Sequence, residues 1–158
     1  MEPTSRPITP PRNFTIYAVQ YYRGKLPWHW ALALFWDYDR EKNRTSVLAY
    51  DVVGSMDNYR YNGGCFPCTL EASQTYRGIV EIGNLPESDI DRFNEALHDI
   101  EVKRHMEDWD CQKWVLTGIR RLQANGWVPS HVTETWLRER LEFVYPSYQK
   151  NSDECGPN

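Results

Sequence analysis

The chain has 158 residues, 41% hydrophobic and 25% charged, with a formal net charge of −4; this suits one globular domain with room for a core. The acidic balance argues against nucleic acid as the main partner, because phosphate binding needs clustered Lys and Arg. No stretch approaches the ~20 apolar residues of a membrane span and no leader pattern opens the sequence, so a cytoplasmic location is expected, with the four cysteines reduced and too few for a disulfide scaffold.

Residues 1–12, rich in proline, are expected to form a flexible arm, residues 13–146 a single domain and residues 147–158 a polar tail. "NFTIYAVQYY" (13–22) is rich in β-branched and aromatic residues and reads as a strand. "WHWALALFWDY" (28–38) is a short apolar run whose aromatics favour a buried strand. "DREKN" (39–43) is a polar turn and "RTSVLAYDVVG" (44–54) the next strand, so 28–54 reads as a hairpin turning near 41–42. The Gly-rich segment 55–75 reads as a loop with at most a short strand near 59–61, and "YRGIVEIGNL" (76–85) alternates as a further strand.

Helices follow. Pro86-Glu87-Ser88 opens the first, with Ile90, Phe93, Leu97 and Ile100 on one face. The second spans 109–125, with Asp108 as its cap and "NG" at its end, and the third runs over about 131–143 with Ser130 as its cap. Strands first and helices after imply an α+β fold: an antiparallel sheet of four or five strands with two or three helices packed on it.

Cys111 shares its helical stripe with Val115, Gly118 and Leu122, at i+4, i+7 and i+11. It should therefore face the sheet, and Gly118 should let the helix come close. A cysteine in the first turn of a helix sits at the positive end of the dipole, where free backbone N–H groups favour a thiolate and can receive an oxyanion. The same residue could simply be a small buried hydrophobe; Asp108 and Asp110 oppose a thiolate by charge. A nucleophilic cysteine needs a base. His98, His105 and His131 lie in polar surroundings, whereas His29 is embedded in "PWHWALAL". It is either a core histidine bonded to backbone or a base aimed at a helix start. The hairpin places residues 51–54 opposite His29. Asp51 is the one side chain charged at neutral pH in "SVLAYDVVG"; it either ends the strand in a turn or orients the imidazole, which would relieve the cost of burying a carboxylate.

"CFPC" (65–68) lacks the second pair that a structural zinc needs and the helix that a redox dithiol opens. It reads as loop cysteines at the site entrance, with a metal site built from Cys65, Cys68 and a histidine as a lesser alternative. No P-loop, dinucleotide, zincin or serine-hydrolase motif is present, so neither cofactor nor metal is expected.

In chain order, "WHWALAL", "AYDVV", "RGIVEIGNL" and "DWDCQKWV" resemble the circularly permuted papain-like proteins. That group includes lecithin retinol acyltransferase-like enzymes and NlpC-type peptidases, and the closest likeness is to an uncharacterised fungal family of that layout. The resemblance covers residues 14 to 128. It implies a permuted papain-like fold, with Cys111 as nucleophile, His29 as base and Asp51 where those relatives have a second histidine. Asp110 replaces their asparagine before the cysteine. The expected activity is a thiol hydrolase or acyltransferase working on an amide, ester or thioester carbonyl through an acyl-enzyme. Its partner would be a small-molecule or peptide acyl substrate, touched by Trp28, Trp30, Trp109 and Gln112. The rival expectation is a non-catalytic binding module on the same fold.

Overall fold

The computed structural model describes residues 12–145. The expected tail, with Cys155, and the expected arm up to residue 11 lie outside them. The fold is α+β: five antiparallel strands and three α-helices packed against them. The strands are β1 (Asn13–Tyr21), β2 (His29–Asp39), β3 (Arg44–Val53), β4 (Arg60–Thr69) and β5 (Tyr76–Pro86). The helices are α1 (Ile90–His98), α2 (Cys111–Ala124) and α3 (Glu134–Val144). The sheet order is β4-β3-β2-β1-β5, so the N-terminal strand is internal and is paired on both sides.

Alternation along the strands sorts the core into two faces. Trp30, Leu32 and Leu34 of β2, with Tyr50 and Val52 of β3, join the helices' Phe93, Leu97, Trp114, Val115, Leu122 and Leu137. Ala31, Ala33 and Val47 face the other way, with Val19, Leu70 and Tyr76. The β2–β3 turn is made by Asp39, whose Oδ1 accepts from the Glu41 and Lys42 N–H groups, and by Asn43 at φ 51.

β4 corrects the expectation of a loop at 55–75. Two glycines and a proline read as loop punctuation, but β4 is an edge strand, where a missing N–H costs little. Its register against β3 slips between Leu48 and Tyr50. Gly64 takes φ +62 within that slip, and a Cβ there would come within 2.7 Å of the Tyr50 ring. The extra residues form a bulge that leaves Phe66 83% exposed.

Two caps also differ from expectation. α2 begins at Cys111 with Asp110, not Asp108, as N-cap: its Oδ1 accepts from the Gln112 and Lys113 N–H groups at 3.0 and 3.1 Å. Asp110 has the extended backbone (φ −152, ψ −172) that a cap requires. α3 is capped by Thr133, not Ser130. The apolar stripe is unaffected, since its spacing does not depend on the cap. Cys111, Val115, Gly118 and Leu122 are all buried, and a Cβ on Gly118 would stand 2.9 Å from Leu32 Cδ1.

Candidate active site

Three elements converge at the start of β2. His29 is its first residue and Asp51 lies near the end of β3. The hairpin register that pairs Leu32 with Tyr50 carries them toward each other. His29 Nε2 and Asp51 Oδ2 are 2.8 Å apart. The other carboxylate oxygen, Oδ1, accepts from Asn62 Nδ2 at 3.1 Å, and Asn62 is the register partner of Asp51 on β4. Both oxygens of a buried carboxylate are thus engaged, which offsets its desolvation.

Cys111 reaches the same place from the helical layer. It is only 1% exposed. Its Sγ lies 4.0 Å from the Trp28 carbonyl oxygen and 4.0 Å from Arg23 Nη1. With Nε2 of His29 committed to Asp51, Nδ1 is the ring nitrogen left for the thiol. Burial presses the His29 pKa down, but the hydrogen bonds of Asp51 and Cys111 and their charges outweigh it and raise it to about 9. The ring therefore carries its proton at neutral pH, and with Asp51 it forms an ion pair whose side chains are 19% and 12% exposed. The Tyr21 ring lies beside the imidazole, tilted at 44° with centroids 5.6 Å apart. Burial, Cys68 and Asp51 hold the Tyr21 phenol neutral well above its usual range.

The start of α2 differs from the expected array of free amides. The Asp110 carboxylate occupies the N–H groups of Gln112 and Lys113, which leaves the Cys111 N–H as the first-turn amide able to meet an oxyanion beside the sulfur. Arg23, from the β1–β2 loop, brings a second cation to the sulfur, its Nη1 4.0 Å from Sγ.

Of the expected substrate-contacting residues, Trp28, Trp30 and Gln112 line one cavity of about 430 Å³, open to solvent and lined also by Leu141, Arg138 and Tyr145. Trp109 lies elsewhere, packed on Tyr59 and beside a polar recess with Lys103, Lys113 and Arg121. Cys65 and Cys68 are exposed on β4. Cys65 lies in the bulge, its Sγ on the Gly63 carbonyl. Cys68 pairs with Val47; although the residue is exposed as a whole, partial desolvation of its thiol and the Asp51 charge push its pKa up. Among the described residues no group of three His, Cys, Asp or Glu side chains could hold a metal ion. His98 and His105 are exposed and lie beside Asp99 and Asp57, and exposed His131 packs on Trp136.

Arg23 and Asn62 were missed in the sequence. Asn62 could be found only with β4 recognised as a strand in register with Asp51. Arg23 carries no motif; its one signal is its place in the polar loop just before "PWHW".

No helix among the described residues is long and apolar enough to cross a membrane. No curated protein and no solved structure matches the chain. One family model does match, over residues 16–129, a span that contains Arg23, His29, Asp51, Asn62 and Cys111. The chain belongs to that family, described as a family of unknown function (DUF6540).

Proposed function

We propose that this protein is a cysteine-nucleophile enzyme that acts on an amide, ester or thioester carbonyl through an acyl-enzyme, on a permuted papain-like layout. The observation that carries the reading is the 2.8 Å contact of His29 Nε2 with Asp51 Oδ2, formed while Cys111 bears on the same ring. A base fixed by a carboxylate beside a thiol at a helix start is what nucleophilic catalysis requires.

The high pKa of His29 (about 9) changes how the pair would work. His29 holds a proton at neutral pH in its ion pair with Asp51, and the reacting form in this reading is that imidazolium beside the Cys111 sulfur as thiolate. The sulfur attacks the carbonyl carbon and the π pair moves onto oxygen, where the Cys111 N–H and the Arg23 guanidinium stabilise it. The tetrahedral species collapses, the bond to the leaving nitrogen, oxygen or sulfur breaks, and His29 Nδ1–H gives that atom its proton. The neutral ring then takes a proton from water, or from an acceptor amine or hydroxyl, as it attacks the thioester. The sulfur leaves as thiolate and the imidazolium is restored.

One observation favours the second reading, a non-catalytic binding module: Cys111 is 1% exposed, so a substrate reaches the sulfur only after groups around it move. The two readings separate with p-nitrophenyl acetate. The enzyme reading expects a stoichiometric burst of p-nitrophenolate and an acetyl adduct on the Cys111 peptide, absent in Cys111→Ser. A binding module gives neither.

A further inference from the structure

We infer that the cavity between the start of β2 and α3 is the acyl subsite, and that it takes a flat, uncharged aromatic acyl group. This rests on the thiol-enzyme reading above. The cavity adjoins the sulfur through the chain neighbours of the pair. Trp28 precedes His29 and Gln112 follows Cys111, and both line it. Gln112 Nε2 donates at 2.8 Å to the Trp28 carbonyl oxygen, the same atom that stands 4.0 Å from Cys111 Sγ. The Trp28–Gln112 contact thus lies between the sulfur and the cavity, and the inference runs the far end of an acyl group on the sulfur past it.

The walls are aromatic and held in place. The Trp28 and Tyr145 rings meet edge to face at 4.8 Å and 88°. The Arg138 guanidinium sits 4.6 Å over the Trp30 ring and holds it flat. Leu141 adds an aliphatic side. Ring edges and faces set at right angles favour an aromatic occupant over a saturated one of equal size, through the quadrupole. Formal charge in the lining cancels between Arg138 and Glu142, so a charged group has no net partner there. The buried amide of Gln20 spends both Nε2 hydrogens on the Arg77 and Leu141 carbonyls. Its Oε1 remains as an acceptor suited to a ring bearing a hydroxyl or amine donor. The volume of about 430 Å³ falls within the usual range for a small-molecule site.

The test uses three alkylating probes of one chemistry: iodoacetamide, N-phenyl-iodoacetamide and N-cyclohexyl-iodoacetamide. Cys111 labelling is followed by peptide mass spectrometry in the Cys65→Ser, Cys68→Ser, Cys155→Ser protein, and each rate is divided by that of glutathione with the same probe. The phenyl probe is expected to label about tenfold faster than iodoacetamide on this scale, the ratio that one well-packed ring contact supplies, and faster than the cyclohexyl probe. Leu141→Trp, which fills the cavity, should bring the phenyl-to-iodoacetamide ratio to about one. Trp28→Ala, which removes a partly exposed wall and leaves the core intact, should do the same. A wild-type ratio near one overturns the subsite while iodoacetamide labelling upholds the thiolate. A cyclohexyl rate equal to or above the phenyl rate overturns the aromatic assignment. Failure of all three probes to label Cys111 overturns the thiol-enzyme reading itself, and the subsite with it.

Discussion

Asp51→Asn removes one negative charge and keeps the shape of the side chain, so it isolates the electrostatic part of the His29–Asp51 contact. In the wild-type protein the rise of the His29 pKa from 6.5 to about 9 corresponds to about 3 kcal/mol of preferential binding of the proton in the folded state. Because the folded pKa lies above the unfolded one, this contribution is fully present below pH 6.5. It is lost as the pH rises through about 9. Without the carboxylate charge, burial opposes the proton and only Cys111 supports it. The His29 pKa should then fall below about 7, and the loss of stability between pH 6.5 and 9 should largely vanish. Two assays read this: NMR titration of the His29 ring, and urea unfolding at a series of pH values. Cys111 alkylation at pH 7 should slow at least about tenfold, since the imidazolium that favours the thiolate is gone. A His29 that titrates near 6.5 in both proteins, or a stability profile unchanged by Asp51→Asn, would refute the ion-pair argument.

Other substitutions test separate links. Gly118→Ala places a methyl 2.9 Å from Leu32 Cδ1 and 3.3 Å from Leu97 Cδ2; it should destabilise the protein by about 1–3 kcal/mol in urea unfolding, despite alanine's better helix propensity. Asp110→Asn keeps a side-chain acceptor for the Gln112 and Lys113 amides but removes a negative charge next to the sulfur. Its stability should stay within about 0.5 kcal/mol of wild type, while Cys111 alkylation speeds up several-fold. Arg23→Met removes the guanidinium 4.0 Å from Sγ; alkylation should slow about threefold to tenfold, and p-nitrophenyl acetate turnover should fall further if the guanidinium also meets the oxyanion.

Much of this arrangement is legible in the sequence. β1, β2, β3 and β5 show β-branched and aromatic runs between polar turns, a signal that local chemistry alone produces. The Cys111–Val115–Gly118–Leu122 stripe follows from helical spacing and survives a wrong cap. The His29–Asp51 pairing follows from where the hairpin turns, because antiparallel register is fixed once the turn is placed. The errors have equally specific causes. β4 carries Gly63, Gly64 and Pro67, which oppose a strand locally; its place at the sheet edge, against β3, makes it one. Asp108 and Asp110 are chemically identical candidates flanking Trp109, and only backbone geometry decides between them. That choice matters chemically, since it moves Cys111 to the first helical position and fills two amides that were expected to be free. Arg23 reaches the sulfur through tertiary packing of a loop, for which no local pattern exists.

The most direct test of the central claim compares iodoacetamide labelling of Cys111 at pH 7 in the protein with serine at positions 65, 68 and 155 and in the same protein carrying His29→Ala. The account predicts rapid, stoichiometric labelling of Cys111 that falls at least about tenfold when the imidazole is removed. A Cys111 that stays unlabelled in the folded protein, or that labels equally fast with and without His29, would contradict it.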